Sequence, residues 1–349
     1  MSKGWEGNFF EDFELGQQIE CPIPRRIGEG EVAAYIALTG DRTPGYCGPA
    51  GLVHPLVVFH TVLGQTVRPV SLNARANLGY ARMRWHRPLE VGATLRTTAT
   101  IVGLKENSSR RDGIVWLETA GADAEGEVLS YVRWVMVRKR GSDPTRWLVE
   151  PAQPEPHAAL EARDLPSRSG ALPPALETGG RYWFEDYVPG ERIQHVDGVT
   201  VNPSDHMTFT RLFQNSARVH FDALAGEPLV FGGYVISIGY AQAFNGFENR
   251  LGLVAINGGT HANPVRAGDT LFSFSDVLET TPVSDPVCGA VRCRLVVVKN
   301  EKPSGVGQSY AIYEQGRYRP NVVLDLDYWE MVGRRAAGTA ERVASGTTP

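Results

Sequence analysis

The chain has 349 residues, enough for two domains that each bury a core. Its 35 Lys and Arg stand against 39 Asp and Glu, and a net charge of −4 leaves no footprint for nucleic acid or an anionic membrane. No run of eighteen apolar residues occurs, the start lacks a basic-then-apolar leader, and Cys21, Cys47, Cys288 and Cys293 have no CxxC spacing. These features predict a cytoplasmic protein with reduced thiols and no zinc site.

In chain order, "EGEVAAYIALTG" (29–40) has apolar positions at helical spacing behind an acidic first turn. "VHPLVVFHTVLGQTV" (53–67) is apolar on nearly every face, so a helix there must be surrounded and belongs in a core. The runs "TLRTTATIVGL", "GIVWLETAGA" and "VLSYVRWVMV" are β-branched and aromatic, which suggests antiparallel strands. The plan then recurs: "PSDHMTFTRLFQ" (203–214) mirrors the first helix, and "VFGGYVISIGYAQAF" (230–244) mirrors the core helix.

Direct matches support this. "FEDFELGQQI" (10–19) pairs with "FEDYVPGERI" (184–193), "PLEVGATL" (88–95) with "PVRAGDTL" (264–271), and "VLSYVRWVM" (128–136) with "VLDLDYWEM" (323–331). Three matches in one order indicate a tandem duplication. The expected organisation is a first domain over 1–140, a Pro- and Ala-rich linker over 141–180, a second domain over 181–335 and a tail over 336–349. A buried helix followed by a long antiparallel sheet makes each copy α+β.

The segments "YIALTGDRTP", "PVRAGDTL" and the all-round apolar helices resemble the MaoC-like (R-specific) enoyl-CoA hydratase family, across both halves of the chain. The resemblance implies a double hot-dog fold, in which an antiparallel sheet wraps a long central helix in each half. Within that family, "NSARVHF", "FGGYVIS", "NLGYAR" and "VLDLDYW" look most like the mesaconyl-CoA hydratase (β-methylmalyl-CoA dehydratase) branch. It further implies a cofactor-free hydro-lyase that reversibly hydrates a short branched dicarboxylic acyl-CoA, mesaconyl-CoA to β-methylmalyl-CoA, with no nucleic-acid or membrane partner, assembled as a homodimer or higher homo-oligomer.

The family's Asp and, five residues later, His fall on Asp41 and Tyr46 in the first half, and on Asn215 and His220 in the second. Neither half carries the full pair. Hydration of an unsaturated thioester needs a base, a proton for the α-carbon and donors for the thioester oxygen. His220 can be the base, Asn215 can position water or carbonyl, and Asp41 is an acid reaching across the interface. Gly232 and Gly233 open the second core helix where free N–H groups suit an oxyanion hole, whereas Pro55 spoils that device in the first half. Arg218 takes the place of a family proline, where it would pair with a distal carboxylate of the substrate; Arg42 is a weaker candidate. His54 and His60 read as core packing, and His261 as substrate-lining or structural. His86, His157, His195 and His206 read as surface or loop residues. The alternatives to mesaconyl-CoA hydration are another enoyl-CoA hydratase of this type, an acyl-CoA thioesterase, and a non-catalytic acyl-CoA-binding module.

Overall fold

The computed structural model describes residues 3–47, 51–143, 148–149, 164–165, 178–303 and 310–335; most of the expected linker, with His157, and the tail lie outside them. The first half runs β1 (Gln18–Arg26), α1 (Glu29–Thr39), α2 (Pro44–Cys47), α3 (Pro55–Thr66), β2 (Ala74–Trp85), β3 (Thr94–Glu106), β4 (Asp112–Asp123) and β5 (Gly126–Arg138), followed by the two-residue β6 (Leu148–Val149). The second runs β7 (Arg192–Gln194), β8 (Val199–Thr200), α4 (Pro203–Leu212), α5 (Gly232–Gln242), β9 (Arg250–His261), β10 (Thr270–Pro282), β11 (Cys288–Lys299), the short pair β12 (Tyr313–Glu314) and β13 (Arg317–Tyr318), and β14 (Val322–Gly333).

One antiparallel sheet contains both halves, in the order β1-β3-β4-β5-β2-β9-β14-β11-β10-β7. The seam is β2 against β9, with Gly79 opposite Thr260 and Arg84 opposite Ala255. Pairing the two edges there removes the exposed strand edge that each half would otherwise present. Hairpins join β3 to β4, β4 to β5 and β10 to β11, whereas β1 with β3, β5 with β2 and β9 with β14 pair across longer connections. β3 alternates buried and exposed positions over most of its length, while β14, inside the sheet, is buried at all twelve.

The two apolar segments become α3 and α5, and both are buried, as their lack of a polar face demands. They lie against each other, with His60 Nε2 2.8 Å from Ser237 Oγ. Phe59, Leu56, Ile236 and Ile238 are at most 1 % exposed, and each such side chain contributes roughly 1.5–3 kcal/mol by leaving water. Gly64 lets α3 approach the end of α4 so closely that a Cβ would sit 1.8 Å from the Phe213 carbonyl oxygen. That contact holds the turn carrying Asn215.

Two expectations need correction. His195 and His206 are not surface residues: both are buried, and His195 is held by the Asn245 carbonyl and Ser275 Oγ, each at 2.8 Å. The helix expected over 203–214 also ends early, for α4 stops at Leu212, and beyond it only Arg218–His220 and Ala223–Ala225 form short 3-10 turns before α5. No helix among the described residues is long and apolar enough to cross a membrane.

Candidate active site

The local chain explains why the site residues come together. Gln214 adopts a left-handed conformation (φ 53°) after α4, while the Asn215 N–H reaches back to Thr210 O and the Gln214 N–H to Arg211 O. This pair of bonds is the Schellman way of ending a helix. Asn215 Oδ1 then accepts the Ala217 N–H at 3.2 Å, an Asx turn that leads into Arg218–His220. The first half repeats the device: Gly40 is left-handed (φ 72°), and Asp41 Oδ1 accepts the Thr43 N–H at 2.7 Å.

Asn215 and His220 line one cavity of about 250 Å³, together with Gly232, Phe231, His261, Tyr80, Ala74, Asn77 and Arg133. His220 Nδ1 lies 2.7 Å from the Leu229 carbonyl oxygen. A carbonyl only accepts, so Nδ1 carries the hydrogen and Nε2 keeps its lone pair. Nε2 has no partner among the described residues. Burial lowers the His220 pKa to about 4, so the ring is neutral at physiological pH.

Gly232 is the first residue of α5, and the first hydrogen bond of that helix is donated by Tyr234 to Phe231 O. The Gly232 N–H therefore stands free at the positive end of the helix dipole, on the cavity wall. A Cβ on Gly232 would come 2.5 Å from the His261 ring, so only glycine lets the helix start here. Gly233 does not line the cavity; its missing side chain makes room for Phe231 and His60. At the matching end of α3, Pro55 has no N–H and His54 Nδ1 accepts from the Leu56 N–H at 3.0 Å.

Asp41 does not reach this cavity. Its Oδ2 lies 3.2 Å from the Arg250 guanidinium and 3.4 Å from His54 Nε2, with all three side chains buried. Burial alone would raise the Asp41 pKa, but Arg250 and His54 beside it hold the carboxyl below the usual range. It is a fixed anion, and the expectation of an acid working across the interface is corrected. Arg218 is also displaced from its expected role. Its guanidinium holds Asn73 Oδ1 and, at 2.9 Å, the Glu6 carbonyl, which ties the N-terminal segment to the second half outside the cavity. Arg42 does not line it.

Among the lining residues given no role from sequence are Arg133, Asn77, Tyr80 and Ala74. Arg133 carried a signal, because it alternates with Tyr131, Val135 and Val137 on the buried face of β5. His261 accompanies Tyr80, with Nε2 3.3 Å from the phenol oxygen. Burial lowers the His261 pKa to about 4.

The second-half turn thus brings together a neutral histidine, an amide and a helix-end N–H around a small cavity. Comparison with known proteins bears on the family and the fold. The family model described as mesaconyl-CoA hydratase matches residues 3–173. A mesaconyl-CoA hydratase of Cereibacter sphaeroides is 46 % identical, covering 94 % of this chain and 98 % of its own. A β-methylmalyl-CoA dehydratase of Chloroflexus aurantiacus is 41 % identical with the same coverage. The crystal structure of a MaoC domain protein dehydratase from Chloroflexus aurantiacus superposes with a TM-score of 0.84 at 39 % identity, over 96 % of this chain and all of that one. A Mycobacterium tuberculosis protein described as a double hotdog, 23 % identical, shares the fold with a TM-score of 0.75 over 94 % of this chain and 99 % of its own.

Proposed function

We propose, from the premise that the chain belongs to the mesaconyl-CoA hydratase family, that it adds water reversibly to mesaconyl-CoA to give β-methylmalyl-CoA. The observation that carries this reading is the His220 ring, neutral, with Nε2 unpartnered in a cavity shared with Asn215 and Gly232. Water donates a proton to Nε2 while its oxygen bonds to the β-carbon. The electrons of the double bond move toward the thioester carbonyl, whose oxygen gains charge beside the Gly232 N–H. The imidazolium then returns the proton to the α-carbon, so one group serves both transfers when addition occurs on one face. The Asn215 amide, its Oδ1 held by Ala217, orients water or carbonyl.

A groove of about 840 Å³, lined by Arg68, Arg211, Gln65 and Gln214, meets the cavity at Asn215. Its two arginines suit the phosphates of CoA, while the cavity takes a short acyl group. The reading needs no cofactor beyond the CoA thioester. It includes a homo-oligomer and a cytoplasmic location, the latter in keeping with cysteines that form no disulfide among the described residues.

Hydrolysis of the thioester is the weaker reading, because no carboxylate among the described residues lines the cavity. A panel of mesaconyl-, itaconyl-, crotonyl- and β-methylmalyl-CoA separates them. Loss of the enoyl-thioester absorbance without thiol release, fastest for mesaconyl-CoA, is the expected result; thiol release would overturn it.

A further inference from the structure

Arg133 is a guanidinium buried to 1 % exposure on β5, and it forms part of the first-half wall of a cavity whose other wall carries His220. Its protein partners are all neutral: Asn77 Oδ1 at 3.2 Å, Thr66 Oγ1 at 2.9 Å and Ser71 Oγ at 3.3 Å. Its Nε has no partner, and neither has the buried amide nitrogen of Asn77, which also lines the cavity. No carboxylate lies within ion-pair distance of Arg133 among the described residues. Tyr80, Tyr131 and Cys21 are the titratable groups around it, and burial pushes all three up, so none supplies a negative charge at neutral pH.

The chain contains its own control. Arg250 is equally buried, and the protein gives it Asp41. An arginine buried without a counter-charge is expensive, and its charge persists because guanidinium does not titrate in the accessible range. A second protein carboxylate would have been simple to place. What stands there instead is a cation and an unpartnered amide nitrogen, on two residues that line a cavity sized for an acyl group.

We infer that Arg133, with Asn77, binds the distal carboxylate of a dicarboxylic acyl-CoA, so that the first half supplies the specificity element for chemistry carried by the second. This rests on the proposed acyl-CoA reading and names the residues that select within it. It moves the role that sequence had suggested for Arg218 to a side chain from the other half.

The test uses binding, which is independent of turnover. Succinyl-CoA and butyryl-CoA are saturated thioesters that differ at the far end by carboxylate against methyl. Calorimetric titration of the unmodified protein is expected to show succinyl-CoA bound at least about tenfold more tightly. Equal affinity would overturn the inference. In Arg133→Met the preference disappears while butyryl-CoA binds as before; a preference retained there also overturns it. Asn77→Asp is the companion variant, and it keeps the packing should Arg133→Met fail to fold. It gives Arg133 an internal partner, as Asp41 does for Arg250, and should abolish the preference in a folded protein. Failure of the substrate panel to show hydration would remove the proposed reaction and leave this binding result standing on its own.

Discussion

The two halves build the same turn and then put it to opposite ends. Asp41 and Asn215 each cap the chain two residues on, and Tyr46 and His220 follow five residues later, both buried. The decisive difference comes from the opposite half. Asn73 Nδ2 donates to Glu6 O and Asn8 O, and Asn249 Nδ2 donates to Gly180 O and Tyr182 O, which identifies them as equivalent positions. The residue after Asn249 is Arg250, which fills the first-half pocket and neutralises Asp41. The residue after Asn73 is Ala74, which lines the second-half cavity and leaves it open. One pocket became a buried ion pair and the other an open cavity, the proposed site of reaction. The first is closed by its charge pairing, and the second keeps unpartnered polar groups on its wall.

His220→Ala should break the comparison hardest. Losing a general base typically costs on the order of a hundred- to ten-thousandfold in rate, and kcat/KM for mesaconyl-CoA should fall by that much with the circular dichroism unchanged. The equivalent change in the closed pocket, Tyr46→Phe, should leave kcat/KM within about twofold. Equal damage from both would reverse the assignment.

Arg250→Ala tests the closed pocket through stability. It strands the Asp41 carboxylate in the interior, and breaking a buried pair this way costs about 3–5 kcal/mol. Urea unfolding should show the loss, and a change below about 1 kcal/mol would mean that Asp41 finds another partner. Ala74→Leu approaches from the other side by filling the open pocket. Overpacking costs about 1–3 kcal/mol, and activity should fall by more than that stability loss explains, with KM rising.

The smallest effect is the pH profile. His220 is neutral in the fold with its pKa lowered to about 4, so kcat/KM for hydration should hold level from pH 8 to about 5 and fall through about 4. An acidic limb centred near 6.5 would point to an exposed histidine as base. Stability follows a different window. His60, His195, His220 and His261 all have pKa values lowered by burial. Below about pH 6.5 the unfolded chain takes up protons that the folded chain refuses, so stability decreases as pH falls from there.

Sequence by itself determined the duplication, the two central helices and the position of the Asn215–His220 turn. Each of these is written in local order: a repeat in register, a helix with no polar face, an Asx residue followed five positions later by histidine. Arg133 was not singled out from sequence; the structure puts it on the buried face of β5, and nothing in the strand itself says what it faces. Only the tertiary structure decided which pocket is open, where Asp41 spends its charge, and that Arg218 holds the N-terminal segment while Arg133 faces the cavity. Those pairings join residues such as Asp41 and Arg250, 209 positions apart. Periodicity reports which face of an element is buried, because that follows from backbone geometry. It carries no information about the partner across the interface, which is fixed by how the two halves dock.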